Sequence, residues 1–118
     1  MRAPIVPVTR LALERSIQAE IVMNLRLRHW YVTEFAKPGT HRALRGSVPA
    51  GFPDLLCLRP RRDGGAQVLF IEVKRPGQEP TAAQLEAHQA LRDAGASVIV
   101  ATSWEEVHAM LPVTGALR

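Results

Sequence analysis

The sequence predicts an α/β domain in the order α-β-β-β-α-β-α, a mixed central sheet flanked by helices, and three observations predict it. Two strand-sized apolar runs, "DLLCLR" and "AQVLFIEVK", are joined through "PRRDGG", where Asp63-Gly64 is the dipeptide of a tight hairpin. The second run leads into a helical segment and then "SVIVA", a strand–helix–strand unit that closes as a right-handed parallel crossover. An antiparallel hairpin fused to a parallel unit makes the sheet mixed and puts helices on both of its faces. With 118 residues the chain fills a single core and not two, so residues 1–118 are read as one domain.

Each element has a local reason. Residues 1–9 form an N-terminal arm, and Thr9 caps a helix over 10–28 whose Leu13, Ile17, Ile21 and Leu25 repeat every four residues as a buried stripe. "HWYVTEF" is rich in β-branched and aromatic residues and reads as a strand. Residues 36–53 form a long basic loop, a length that suits a functional segment. After the hairpin, Thr81 caps the helix "TAAQLEAHQALRDAG" and Gly95 closes it. "SWEEVHAML" is a short terminal helix with Ser103 as cap and Glu106 at the capping-box position.

Composition excludes several classes. Apolar residues at 47% and charged residues at 22% are the balance of a folded globular chain, not a disordered one. No apolar run is long enough to span a bilayer, and "MRAPIVPVTR" has no apolar signal-peptide core, so no membrane partner and a cytoplasmic location are expected. The single Cys57 excludes a disulfide framework or a cysteine-rich zinc site. Neither a phosphate-binding Gly-x-x-x-x-Gly-Lys loop nor a Gly-x-Ser-x-Gly elbow is present. Residues 1–62 carry eleven Lys or Arg against four acids, whereas residues 63–118 carry four against seven. Thirteen of the fifteen cations are arginine, the better fork for phosphate, so the basic half points to nucleic acid; a solvated basic surface is the plainer alternative. Trp30, Tyr31 and Trp104 read as packing residues, since aromatics make up only 5% of the chain.

The informative feature is charge inside the hairpin. Along "VLFIEVK", Val68, Phe70, Glu72 and Lys74 share one face and Leu69, Ile71 and Val73 the other. Both faces are apolar until Glu72, so a central strand ends in charge. Asp54 and Glu72 each lie nine residues from Asp63, so a turn centred there sets them face to face. At about 5 Å and an effective dielectric of about 20, two such charges repel by roughly 3 kcal/mol. A divalent cation held by hard oxygen donors would offset this; the alternative is that Lys74 or a nearby arginine bridges the acids and no metal binds. On the first helix, Glu14 falls inside the apolar stripe, with Glu20 at its edge as a competitor. Gln84 and His88, four apart, share a helical face and are candidates to border the same place, an ordinary surface or core histidine being the equal alternative for His88.

"GFPD" followed by "IEVK" resembles the signature of PD-(D/E)xK nucleases in its VRR-NUC form. Glu14 and Gln18 resemble the Glu-x-x-x-Gln of that family's first helix, and "PTAAQLEAHQALRDAGASVIVATSWEEV" resembles its closing segment, with Gln84 at the glutamine behind the site. The resemblance spans about residues 10–108 and implies a restriction-endonuclease-like core similar to Holliday-junction-resolvase-like nucleases. It implies a Mg²⁺- or Mn²⁺-dependent nuclease acting on DNA, selective for four-way or branched forms, and a homodimer to make two symmetric cuts. The expected metal ligands are Asp54, Glu72 and the backbone carbonyl of Val73, with Glu14 joining directly or through water. Lys74 is expected to orient the attacking water and Gln84 to support it; Gln18, Glu20 and His88 are further candidates. Arg42, Arg45, Arg61, Arg62 and Arg75 are the expected phosphate contacts. A non-catalytic DNA-binding module with a vestigial metal site and a restriction-type endonuclease remain the alternatives.

Overall fold

The computed structural model of the chain describes residues 10–35 and 48–111. Its order is α1 (Arg10–Leu27), β1 (Tyr31–Glu34), β2 (Leu55–Pro60), β3 (Ala66–Val73), α2 (Ala82–Asp93), β4 (Ser97–Ala101) and α3 (Trp104–Met110). The four strands lie in the order β1-β2-β3-β4, antiparallel except for the β3–β4 pair, which is parallel. This is the expected α/β architecture, with the crossover through α2.

Alternation along the strands divides the two faces. Leu55 and Cys57 of β2, Leu69, Ile71 and Val73 of β3, and Ile99 and Ala101 of β4 share one face. They form the buried core with Ile21, Val22 and Leu25 of α1 and Trp104 and Val107 of α3. The opposite face carries Phe70, Glu72 and Lys74, and α2 lies over it. Burial in the core pushes the Cys57 thiol up to about 12, so it packs as a small apolar side chain.

One boundary and the burial of two residues differ from expectation, for local reasons. The strand read from residue 29 starts at Tyr31 because His29, at φ 68°, ends α1 in the left-handed conformation. Trp30 N–H donates to the Leu25 carbonyl at 3.1 Å and His29 N–H to that of Arg26 at 3.0 Å, a Schellman closure made without glycine. Trp30 and Leu25 are both buried, the apolar contact that accompanies this motif. Leu13, expected in the buried stripe, is 36% exposed, and Val22 is buried in its stead. Gln18 Nε2 donates to Glu34 at the end of β1, at 2.9 Å, and Ile17 beside it packs against the core, so the stripe turns inward only from Ile17 onward. Tyr31, read as a packing residue, is exposed, on a part of the sheet that α2 does not reach. Trp30 and Trp104 are buried, under Arg59 at 4.1 Å and Arg28 at 4.6 Å respectively.

The free edge of β1 is covered. Phe35 N–H donates to the Asp54 carbonyl at 3.0 Å, and the antiparallel alternation from that pair turns the backbone N–H and carbonyl of Val32 toward the free edge while its side chain stays in the core. Arg26 Nη2 donates to the Val32 carbonyl at 3.0 Å and blunts the edge. Among the described residues no helix is long and apolar enough to cross a membrane.

Candidate active site

The hairpin register places the acids as the count around Asp63 requires. Leu55 pairs with Ile71, so the next pair outward is Asp54 opposite Glu72. Asp54 is 3% exposed, Glu72 0% and Lys74 3%. Asp54 Oδ2 accepts the Val73 N–H at 2.7 Å, a charge-assisted bond that fixes the carboxylate across the end of the strand pair. Lys74 Nζ is 3.8 Å from Glu72 Oε2. Lys74 is itself held by its backbone N–H, which donates to the Ala101 carbonyl at 2.9 Å. Two carboxylates and one ammonium are thus brought together in a buried setting.

α2 closes the cluster from above, and its capping box sets the chemistry. Gln84 N–H donates to Thr81 Oγ1 at 3.2 Å, while Gln84 Oε1 accepts the Thr81 N–H at 2.8 Å. With its oxygen so engaged, the amide turns its nitrogen to Glu72, and Nε2 donates to Oε2 at 3.3 Å. One turn later His88, 1% exposed, brings Nε2 to 3.5 Å from Glu72 Oε1. Desolvation pushes the His88 pKa below its ordinary value; the positive charges of Arg92 and Lys74 act in the same direction, and Asp54 opposes them.

The double use of Gln84 is not foreseen in the sequence reading, although the spacing Thr81-x-x-Gln84 signals a capping box. A second unforeseen feature is how Gly51 serves the site. Its φ is 79°, and a Cβ there would lie 2.8 Å from Gln84 N and closer still to the Ala83 carbonyl. Only glycine lets the "GFPD" segment pass under the start of α2 and deliver Asp54 below Gln84. Phe52 of the same segment packs edge-on between Phe35 and Phe70, at 5.2 and 5.4 Å.

The structure therefore gathers Asp54, Glu72, Val73, Lys74, Gln84 and His88. Glu14 is half-buried near the start of α1, one turn before Gln18, on the helix that packs against the core face and not the face of Glu72. Among the described residues no group of three or more His, Cys, Asp or Glu side chains is arranged to hold a metal ion. Gln18 meets Glu34 and not the acids, and Glu20 is exposed on α1. Arg75 follows Lys74 directly, half-buried, with no hydrogen-bond partner for Nε among the described residues. Arg61 and Arg62 sit at the hairpin tip, six residues of β3 or about 20 Å from Glu72. Arg61 is engaged there by Asp63 at 2.9 Å. Arg42 and Arg45 lie outside the described residues.

A family model for the VRR-NUC domain matches residues 14–105, from Glu14 through the start of α3. The chain belongs to the VRR-NUC family. It is a nuclease family, and the matched span holds the whole cluster. Among curated proteins the chain is similar to "Putative nuclease p44" of Acyrthosiphon pisum secondary endosymbiont phage 1. The two are 32% identical over 103 residues, 87% of this chain and 96% of that protein. Among solved structures it is similar to a VRR_NUC domain at 27% identity and a TM-score of 0.64, over 84% of this chain and 94% of the other. A second, a VRR_NUC domain protein, shares the fold at 24% identity and a TM-score of 0.61, over 84% of each chain.

Proposed function

We propose that this VRR-NUC domain is a divalent-metal-dependent endonuclease that hydrolyses phosphodiester bonds in DNA. The observation that carries the reading is the pairing of two buried carboxylates, Asp54 and Glu72, across adjacent strands with Lys74 two residues on. This donor set fits Mg²⁺ or Mn²⁺, because the acids and the neighbouring backbone carbonyl supply hard oxygens. Asp54, Glu72 and the Val73 carbonyl would hold the ion, and Glu14, near the start of α1, would reach it directly or through water. A divalent ion supplies charge neutralisation at the scissile phosphate and a more acidic water.

The chain's own side chains do the rest. Lys74, held in place by Glu72, points an ammonium at the attacking water and at the charge that develops on phosphate oxygen. Gln84 keeps Glu72 oriented while its oxygen stays with Thr81. Arg75, at the mouth of the cluster, contacts a flanking phosphate. A domain of this size offers little surface for reading base sequence, which favours recognition of branched or four-way DNA by shape. Two symmetric cuts in such a substrate suit a homodimer. Met23 and Leu27, both exposed, line an open groove of about 520 Å³ on α1 that offers a partner an apolar face.

The Lys74–Glu72 ion pair favours a second reading, a DNA-binding module whose vestigial site is held by the lysine and not by a metal. Incubation with labelled duplex, flap and four-way junction in Mn²⁺, with an EDTA control, separates the two. Metal-dependent cutting concentrated on the junction supports the proposal. Cutting of duplex alone removes the branched-DNA selectivity, and salt-sensitive binding without any cutting selects the second reading.

A further inference from the structure

His88 is the one fully buried residue of α2, whereas Leu85 of the same helix is exposed. Packing alone would place a leucine inward and a histidine outward. Neither ring nitrogen of His88 has a hydrogen-bond partner among the described residues. A buried polar group left so costs about 1–3 kcal/mol, so the ring's place asks for a compensating role. Its Nε2 approaches Glu72 Oε1 at 3.5 Å, slightly beyond a hydrogen bond, while Gln84 donates to Oε2 of the same carboxylate at 3.3 Å. Two successive turns of one helix thus address the two oxygens of one acid.

We propose that His88 is a positioning residue for the metal centre, directing its Nε2–H at Glu72 Oε1 so that His88 and Gln84 together fix the plane of the carboxylate facing Asp54. This rests on the reading of Asp54 and Glu72 as metal ligands. A carboxylate held at both oxygens presents its remaining lone pairs in one direction, which sets metal affinity without touching the substrate. His88 makes no part of the DNA contact, so its loss leaves DNA affinity unchanged.

The test is calorimetric titration of Mn²⁺ into DNA-free wild type, His88→Gln and His88→Met, with melting in EDTA as a check on the fold. Glutamine carries a donor to the place of Nε2; methionine fills the volume without one. The expected result is Mn²⁺ affinity about 10- to 100-fold weaker in His88→Met and within about threefold of wild type in His88→Gln. In cleavage assays His88→Met then needs correspondingly more Mn²⁺ for half-maximal rate at an unchanged KM for DNA. Should His88→Met not fold, His88→Asn replaces it, because its shorter amide falls short of Oε1 and the same loss is expected. Equal Mn²⁺ affinity in wild type and the donor-free variant overturns the role of His88 alone. Tighter binding by methionine than by glutamine does the same, showing the ring to be a volume filler. A wild type that takes up no Mn²⁺ overturns both this inference and the metal reading beneath it.

Discussion

Lys74 carries two duties that pull its substitutions in different directions. It is buried against Glu72 at 3.8 Å, and removing one partner of a buried pair costs about 3–5 kcal/mol because the other charge stays behind. Lys74→Met is therefore expected to melt well below wild type in EDTA, and Mn²⁺ is expected to raise its melting temperature more than it raises that of wild type. Circular dichroism melts with and without Mn²⁺ check this; a variant that Mn²⁺ does not rescue would mean the ion does not enter the cluster. The same variant should lose about 10²–10³ in kcat with DNA affinity retained in Ca²⁺, since its ammonium acts on charge that develops only during reaction. Much of this was legible in the residues themselves. Counting from Asp63 fixed the partner of Asp54, and alternation put Lys74 beside Glu72. The place of Glu14 was not, because helix periodicity assigns a face of α1 and says nothing of where α1 ends relative to the sheet.

At the level of elements, α2 and the segment before β2 are locked together through Gly51. Alanine there meets both an unfavourable positive φ, worth about 1–2 kcal/mol, and the backbone of Ala83 and Gln84. Gly51→Ala should lower stability by more than about 2 kcal/mol, a fall of roughly 10 °C or more in Tm for a domain of this size. It should also cut less, since α2 shifts and takes Gln84 off Glu72; an unchanged Tm would contradict the contact. The cap of α3 gives a prediction about acid. Glu106 Oε1 accepts the Thr102 N–H at 2.6 Å and the Thr102 hydroxyl at 2.8 Å, and these bonds hold its pKa below the ordinary carboxylate value. A depressed carboxylate contributes stability that is present above its unfolded pKa, about 4.5, and is lost as pH falls through the folded value. Wild type should thus lose more of its melting temperature below pH 4.5 than Glu106→Gln does, and parallel curves would contradict this. Ser103-x-x-Glu106 announced the cap, yet the glutamate reaches back to Thr102 instead of to the cap residue. The end of α1 was harder to read, because His29 does what sequence rules assign to glycine. It does so because Trp30 and Leu25 bury together across the turn.

For the whole molecule, the mixed sheet followed from one hairpin signal and one right-handed crossover, whereas the place of β1 beside β2 had no local signal. The distribution of positive charge relative to the site did not follow, because net charge in a segment carries no direction. Arg61 and Arg62 were grouped with Arg75 in sequence, but the length of β3 sets them at the far end of the sheet. Arg75→Ala should weaken binding of short DNA and reduce its salt slope by about one, whereas Arg61→Ala with Arg62→Ala should leave a short duplex bound nearly as before. Binding isotherms at several salt concentrations decide between them, and equal losses would mean the DNA runs along the whole sheet. The central claim is that the acids facing each other at the end of the hairpin make this nuclease-family domain a metal-dependent catalyst. Single-turnover cleavage of a labelled four-way junction in Mn²⁺, by wild type and by Asp54→Asn at saturating protein, tests it most directly. The account predicts rapid cutting by wild type, abolished by EDTA, and a loss of at least about 10³-fold in Asp54→Asn with the junction still bound. Cutting by Asp54→Asn at the wild-type rate would contradict it.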